Sequence, residues 1–195
     1  MGKIFYIIGK SASGKDHIYE LLEARKELNL QRQVLYTTRP IRAGEEHGKQ
    51  YYFTNEQTLQ KFEEKGCLIE SRAYHTLHGI WTYFTADDGT IHLEQFNYLG
   101  IGTLESFEKM KSYFGRENVI PIYIEVEDGE RLLRALKREQ AQEHPKYGEM
   151  CRRFLADEED FSEEKSLRAV ISRKFFTKDL RTCTEEIVNY IKSLS

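Results

Sequence analysis

The chain has 195 residues, of which 39% are hydrophobic and 31% are charged, and it contains 12 tyrosines and 11 phenylalanines. This length suits one folded domain, and the aromatic content excludes a disordered chain. The formal net charge of −3 provides no overall positive field, so we expect neither nucleic acid nor a membrane as a partner. Any bound anion must be held by a local cluster of arginine and lysine.

The three cysteines are odd in number and widely spaced, at Cys67, Cys151 and Cys183. Such spacing argues against a disulfide framework and against a zinc site. The apolar run near the start is too short for an export signal, and no stretch approaches the ~20 apolar residues that span a bilayer. We therefore expect a cytoplasmic protein, while the oligomeric state stays open.

The hydrophobic pattern predicts a chain of alternating strands and helices with one inserted region. Strands are predicted at 3–8, 33–38, 97–102, 119–126 and 169–172, and helices at 15–28, 104–113, 129–140 and 184–194. The section 39–88 differs, because aromatic alternation at 51–54, a helix at 55–65 and strands at 68–74 and 80–85 predict a small separate sheet. Alternation of strands and helices elsewhere indicates parallel pairing, and hence an α/β fold.

A glycine-rich segment follows the first predicted strand and opens the first predicted helix. We call it the phosphate loop; its residues are Gly9, Lys10, Ser11, Ala12, Ser13, Gly14 and Lys15. Glycines let successive N–H groups turn toward phosphate oxygens, and the helix start adds about half a positive charge. The Lys15 ammonium would then bind the β and γ oxygens of ATP. The pattern alone is weak, and the alternative is a chance occurrence.

Asp16 stands where such loops normally carry a Ser or Thr that ligates magnesium. Carboxylate oxygen is a good ligand for Mg²⁺, so Asp16 either holds the metal, directly or through water, or serves only as an acidic residue in the first helical turn. We therefore include Asp16 among the ATP-binding residues.

A second anion-binding pattern lies between residues 36 and 53. Arg39 and Arg42 are three apart, Glu45 follows them, and Tyr51 comes nine residues after Arg42. Guanidinium groups bind phosphate oxygens bidentately, and a phenol supplies another donor. The pattern indicates a phosphate monoester site; the alternative is a solvated turn with surface arginines.

The segment TTRPIRAGEEHGKQYYF, at 37–53, resembles the signature T-T-R-x-x-R-x-G-E…G-x-x-Y-x-F of the guanylate kinase family. The resemblance implies a three-layer fold with a parallel core sheet, an inserted small mixed sheet that binds the nucleoside monophosphate, and a helical lid. It implies one domain over 1–195. Within that domain it assigns 1–35, 97–133 and 166–195 to the core, 36–90 to the insertion and 134–160 to the lid.

The resemblance also implies roles for individual side chains. Arg39, Arg42 and Tyr51 would hold the acceptor phosphate with Glu45 nearby, and Glu70 would pair with the N1–H and amine of guanine; the alternative for Glu70 is an exposed strand residue. Lys15 and the lid arginines would neutralise the transferring phosphoryl group. These lid arginines are Arg134, Arg138 and Arg153, and the alternative is an ordinary basic helix face.

Several positions depart from the family pattern. Leu35 replaces a serine near the base, and Gly102 replaces an acidic residue near magnesium. The segment 78–83 aligns ambiguously. Its Trp81 or Tyr83 could stack on a ligand or donate a hydrogen bond to it, but we favour core packing for both. A carboxylate lost at Gly102 and gained at Asp16 would keep one acidic ligand near the metal, which we state as a hypothesis.

The predicted reaction is MgATP plus GMP or dGMP giving ADP plus GDP or dGDP. One alternative is a kinase for another nucleotide or a small phosphomonoester. Another is a non-catalytic guanylate kinase-like domain that binds phosphorylated peptides. The intact phosphate loop argues against a peptide binder, which has no need of an ATP site.

Overall fold

The computed structural model describes residues 1–42, 44–76, 79–169, 171 and 173–194. Its strands are β1 (Ile4–Ile8), β2 (Leu30–Arg32), β3 (Leu35–Thr37), β4 (Tyr51–Phe53), β5 (Leu68–Thr76), β6 (Gly79–Ala86), β7 (Asn97–Gly102), β8 (Val119–Glu125) and β9 (Lys174–Phe176). Its helices are α1 (Lys15–Glu23), α2 (Glu56–Glu64), α3 (Leu104–Phe114), α4 (Asp128–Gln140), α5 (Tyr147–Asp160), α6 (Glu163–Arg168) and α7 (Leu180–Leu194). None of these helices, within the described residues, is long and apolar enough to cross a membrane.

The core is a five-stranded parallel sheet in the order β2-β7-β1-β8-β9. Its central strand, β1, is buried at every residue because both faces of the sheet are covered. Phe5 and Ile7 pack with residues of α1 and α7, and Ile4, Tyr6 and Ile8 pack on the opposite face with residues of α3. The predicted three-layer α/β fold is confirmed.

A second sheet has the order β4-β3-β6-β5. Strands β3 and β4 are parallel, whereas β6 runs antiparallel to both β3 and β5. Helix α2 covers one face of this sheet, where the Phe62 ring lies 5.2 Å from that of Tyr36 and 6.1 Å from that of Phe84. The predicted small mixed sheet is therefore confirmed.

Two predictions near the start of the chain were wrong in their bounds. The first helix ends at Glu23, and a 3₁₀ turn follows at Lys26–Leu28, closed by Asn29 with a φ of 47°. The strand predicted over 33–38 is two strands, because the chain leaves the core sheet after β2 and enters the small sheet at β3. The small sheet thus begins at Leu35, one residue before the predicted insertion.

The last predicted strand, at 169–172, was also misplaced. Ala169 caps α6, residues 170 and 172 lie outside the described part, and the edge strand β9 begins only at Lys174. Phe175 supplies the core contact of this strand and is 1% exposed. A three-residue strand with one buried residue, Phe175, between Lys174 and the exposed Phe176 gives little periodic signal, which is why the pattern missed it.

Candidate active site

The phosphate loop lies at the carboxyl end of β1 and leads into α1. Gly9 packs against the core so closely that a Cβ atom there would lie 2.6 Å from the carbonyl oxygen of Ile124. Gly14 has a φ of +90°, in the left-handed region that favours glycine. Both glycines are therefore required by the geometry of the loop.

Lys15 begins α1 and is half-buried. Its ammonium makes no ion pair within the described part of the chain, which leaves it available to a ligand. Asp16 is exposed in the same helical turn, and the described residues hold no cluster of three metal-binding side chains. One carboxylate beside a phosphate loop nevertheless fits Mg²⁺, which is usually bound by one or two carboxylates together with phosphate oxygens and water.

Arg131 on α4 links this helix to α5 and to the phosphate loop, where its Nη1 lies 3.4 Å from the Ser11 carbonyl oxygen. Its guanidinium is 1% exposed and lies 4.0 Å from the centre of the Phe154 ring. Nη1 donates to Asp157 at 2.8 Å and Nη2 to Glu158 at 2.7 Å. Nε donates to Asp128 at 3.1 Å. A buried cation thus holds three carboxylates together.

The carboxylates of α5 also contact the phosphate loop directly. Asp157 accepts hydrogen bonds from the Ser11 backbone N–H at 2.9 Å and from its hydroxyl at 3.2 Å. Glu158 accepts from Lys10 Nζ at 2.6 Å. Sequence reasoning missed Arg131, Asp157 and Glu158, although Arg131 lies one helical turn before Arg134 and was visible as part of the same basic helix.

The structure brings two predicted lid arginines to one cavity. This cavity of about 240 Å³ is lined by Arg138, Arg153 and Ser11 of the phosphate loop. Arg153 Nε donates to Glu149 at 2.8 Å, and Arg152 binds the same carboxylate at 2.7 Å. These two guanidinium groups lower the pKa of Glu149 to about 2.

Arg134 lies at the other end of the phosphate loop. Its Nη2 donates to the Thr177 carbonyl at 2.9 Å, and the Thr177 hydroxyl donates to the Ser13 carbonyl at 3.0 Å. The three predicted lid arginines therefore approach the loop from two sides. Their role in charge neutralisation stays a prediction.

The predicted acceptor residues lie along the face of the small sheet opposite α2. Across this sheet Arg72 pairs with Tyr83, Tyr83 with Thr37, and Thr37 with Phe53. Because alternate strand residues share a face, Tyr51 and Glu70 lie on this face as well. We call it the acceptor face, defined by Tyr51, Phe53, Glu70, Arg72 and Tyr83.

Arg39 packs on the acceptor face and is 3% exposed. Its guanidinium lies 5.2 Å from the centre of the Tyr51 ring, and its Nε donates to the Tyr83 hydroxyl at 3.1 Å. Nη1 and Nη2 bind the two oxygens of Glu45 at 2.8 and 2.5 Å. The hydrogen bond from Arg39 lowers the pKa of Glu45 to about 2, so Glu45 holds Arg39 in a single orientation.

Arg42 is exposed beside this ion pair, and its backbone N–H donates to Glu45 at 2.8 Å. Its guanidinium lies 5.8 Å from the centre of the Trp81 ring. The expectation that Trp81 and Tyr83 pack in the core was wrong. Both are half-buried and contact the two acceptor arginines, because they share the face of β6 that points away from α2.

Glu70 is buried at the other end of the acceptor face, with 4% exposure, which excludes the alternative of an exposed strand residue. It accepts hydrogen bonds from the Thr85 hydroxyl at 3.0 Å and from Arg72 Nε at 3.0 Å. Sequence reasoning missed Arg72, although a residue two positions after Glu70 in a strand must share its face. The charges of Glu70 and Arg72 also act on Tyr6 in the core sheet, where Glu70 raises the pKa of the phenol and Arg72 lowers it, both less than burial does.

Comparisons with known proteins agree with this arrangement. Residues 1–85 match the guanylate kinase family model. The chain is 33% identical over 118 residues to the guanylate kinase of Syntrophomonas wolfei, covering 57% of each chain. It is 32% identical over 128 residues to that of Wolbachia sp. subsp. Brugia malayi, covering 63% of this chain and 61% of the relative. The matched region thus spans about three fifths of these relatives.

A solved structure shares the fold over nearly the whole chain. The guanylate kinase from Anaplasma phagocytophilum superposes with a TM-score of 0.63 at 19% identity, covering 98% of this chain and 86% of that one. At this identity the superposition bears on the fold alone, and the family match rests on the sequence of the first 85 residues. The chain is therefore similar to guanylate kinases: the family model matches its first 85 residues, and the fold of a guanylate kinase extends over nearly all of its length.

Proposed function

We propose that the chain is an ATP-dependent nucleoside monophosphate kinase that converts MgATP and GMP, or dGMP, to ADP and GDP, or dGDP. The observation that supports this most is the pairing, in one domain, of a phosphate loop with a separate guanidinium site at Arg39. Two anion sites of different construction suit a donor and an acceptor that are both phosphorylated. No observation favours a phosphopeptide as the ligand.

The donor would bind at the phosphate loop. Backbone N–H groups and the Lys15 ammonium would bind its β and γ oxygens. Asp16 would hold Mg²⁺, which supplies charge neutralisation on the phosphate oxygens when it is bound. As α4 and α5 close over the loop, their arginines would neutralise the transferring group and exclude water, which would otherwise accept the phosphoryl group.

The acceptor would bind on the acceptor face. Arg39, Arg42 and Tyr51 would hold its phosphate, and Glu45 would keep Arg39 in place. The acceptor phosphate is largely dianionic at neutral pH, so its oxygen attacks in line without a general base. Positioning and charge neutralisation therefore carry the reaction.

Phosphoryl transfer can be measured as ADP release across a panel of GMP, dGMP, AMP, CMP, UMP and dTMP. We expect turnover with GMP or dGMP, and a fall in kcat of about 10³ in Lys15→Ala, because one electrostatic contact to the transferring group is lost. The control is Lys65→Ala, which removes an exposed lysine at the end of α2. If the protein turns over another nucleotide but neither GMP nor dGMP, the proposed acceptor is wrong. If Lys15→Ala turns over as fast as the parent, the proposed role of Lys15 in binding ATP is wrong.

The metal role of Asp16 has its own test. We expect Asp16→Asn to raise the KM for MgATP about tenfold, since a neutral amide is a weaker magnesium ligand. Magnesium titrations of the parent and the variant measure this. If the parent and the variant depend on magnesium in the same way, Asp16 does not bind the metal and serves only as an acidic residue in the first turn of α1.

We also propose that the protein works in the cytoplasm. Cys67, Cys151 and Cys183 are all free, which suits a reducing compartment.

A further inference from the structure

We propose that Trp81 is a positioning residue, whose indole ring holds the Arg42 guanidinium in place for the acceptor phosphate. The inference rests on the proposed kinase function and concerns the phosphate end of the acceptor site. It assigns no contact between Trp81 and the acceptor itself, because the ring acts through Arg42.

The two acceptor arginines are held in different ways. Arg39 is 3% exposed, and both of its terminal nitrogens bind the carboxylate of Glu45. Arg42 is exposed, and within the described part of the chain its guanidinium makes no ion pair. It contacts the indole of Trp81 instead, at 5.8 Å from the ring centre, within the range of a cation–π interaction.

This difference decides which arginine brings net positive charge to the site. The hydrogen bond from Arg39 lowers the pKa of Glu45 to about 2, so Glu45 is ionised at neutral pH and compensates the charge of Arg39. An aromatic ring attracts a cation through its quadrupole and carries no net charge. Trp81 can therefore fix Arg42 without compensating its charge, and the uncompensated charge remains for the phosphate.

Both partners of the contact are anchored through the backbone. The Arg42 N–H donates to Glu45 at 2.8 Å. Next to Trp81, the Thr82 N–H donates to the Thr38 hydroxyl at 2.9 Å, and the Thr38 N–H donates to the Thr82 carbonyl at 2.9 Å. These bonds join β6 to the segment that carries both acceptor arginines. A guanidinium that is fixed before the ligand arrives loses less conformational entropy on binding than a free side chain does.

The place of Trp81 on β6 separates it from the base end of the acceptor face. Glu70, to which the family resemblance assigns the base, pairs with Thr85 in the sheet register. Trp81 lies four residues before Thr85. Because strand residues advance by about 3.3 Å, the two positions are roughly 13 Å apart along β6. This distance places the indole beside the phosphate and not beside the base.

The decisive comparison uses GMP and ribose 5-phosphate, which has the phosphate and no base. Trp81→Leu should raise the Kd of both ligands by the same factor of about five, the effect of one cation–π contact at a partly exposed site. Trp81→Phe keeps a ring, so its Kd values should lie between those of the parent and Trp81→Leu. Calorimetry measures all of these values.

Two outcomes of this comparison would overturn the proposal. If Trp81→Leu weakens the binding of GMP and leaves that of ribose 5-phosphate unchanged, the ring contacts the base. If neither Kd changes, the ring positions nothing. The matched control is Tyr113→Leu, which removes an aromatic residue that is 44% exposed near the end of α3 and should keep the parental Kd values.

A double-variant cycle shows whether the ring acts through Arg42. Arg42→Ala should weaken the binding of both ligands, and adding Trp81→Leu to it should cause no further loss, because no guanidinium is left to position. In turnover, Trp81→Leu should raise the KM for GMP about fivefold and leave the KM for MgATP at the parental value. Independent losses in the double variant, or a matching rise in the KM for MgATP, would contradict the role.

Fluorescence tests the contact without a substitution at Trp81. This residue is the only tryptophan in the chain, so the tryptophan emission reports its surroundings alone. In Arg42→Ala, water should reach the ring face that the guanidinium covers, and the emission maximum should shift to longer wavelength. An unchanged maximum would mean that the contact does not exist in solution, and this result would overturn the proposal even if Trp81→Leu does not fold.

Failure of the kinase function gives a different pattern of results. If the parent and Trp81→Leu show the expected Kd values but the parent phosphorylates no nucleotide in the panel, the proposed reaction is wrong and the role of Trp81 stands. If the parent phosphorylates GMP and the Trp81 variants keep the parental Kd values, only the role of Trp81 is wrong. A parent that binds neither ligand would overturn both.

Discussion

At the scale of single residues, Gly102 shows how one side chain excludes another. The Tyr6 hydroxyl donates to Ser106 Oγ at 3.0 Å, and these two groups fill the space into which a side chain at 102 would project. Burial raises the pKa of Tyr6 to about 12, so the phenol stays protonated and keeps this hydrogen bond. The acidic side chain that the family resemblance leads one to expect at 102 would therefore clash with these two groups.

This exclusion predicts a destabilised Gly102→Ala variant. Overpacking a filled site should lower the free energy of unfolding by about 1–3 kcal/mol. In the double variant Tyr6→Phe/Gly102→Ala the loss should be smaller than the sum of the two single losses, because the hydroxyl no longer opposes the new methyl group. Urea denaturation measures all three variants, and strictly additive losses would contradict the steric explanation.

Glu45 predicts how stability responds to acid. Its pKa is lowered from 4.5 to about 2, chiefly by the hydrogen bond from Arg39, so the folded protein favours the ionised form. The stabilisation is complete above pH 4.5 and is lost as the pH falls toward 2. Between pH 5 and 2.5, the Tm of Glu45→Gln should therefore fall by less than the Tm of the parent.

A neighbouring carboxylate provides the control for this measurement. Glu46 is exposed and its carboxylate lies 3.5 Å from the exposed Lys49 Nζ, a weak surface pair, so Glu46→Gln should keep the parental dependence of Tm on pH. If Glu45→Gln and the parent lose Tm in parallel, the Arg39–Glu45 pair does not carry the acid sensitivity.

At the scale of elements, the contact of α4 and α5 with the phosphate loop depends on one buried cation. Arg131 bridges Asp128, Asp157 and Glu158, and Asp157 in turn binds the Ser11 backbone. Helix α5 has no buried residue of its own. Its attachment to the rest of the molecule therefore relies largely on these polar contacts and on the packing of Phe154 against the Arg131 guanidinium.

This dependence predicts a large effect of Arg131→Met. Removing one partner of a buried ion-pair network leaves carboxylates without compensation and should cost about 3 kcal/mol of unfolding free energy. Arg116→Met, at an exposed site, should change it by less than about 0.5 kcal/mol. Chemical denaturation with both variants measures the difference. If Arg131→Met is as stable as the parent, the charge of Arg131 does not contribute to stability and its side chain stabilises the fold by packing alone.

At the scale of the whole molecule, the parallel core sheet carries the phosphate loop, and the small mixed sheet carries the acceptor face. Tyr6 and α3 lie where the two sheets approach each other, since Glu70 and Arg72 act on the Tyr6 hydroxyl. The two proposed anion sites thus belong to different sheets, and a ligand at one site should leave the other intact.

Separate sites predict separable stabilisation by ligands. A non-hydrolysable ATP analogue at about 100 times its Kd should add about 2.7 kcal/mol, or a Tm rise of about 5–10 °C, and GMP should do the same independently. Lys15→Ala should abolish only the first shift and Arg42→Ala only the second. Thermal unfolding measures both, and loss of both shifts in one variant would contradict two sites.

The sequence by itself determined the phosphate loop, the arginine pattern at Arg39 and Arg42, and the α/β class. Each of these is written in contiguous residues or in local periodicity, where neighbours along the chain decide the outcome. Tertiary structure alone decided that residues 33–38 divide between two sheets, that Arg72 occupies Glu70, and that Asp157 binds Ser11, which lies 146 residues away. Those contacts follow from which surfaces the folded chain brings together, and no local pattern encodes that choice.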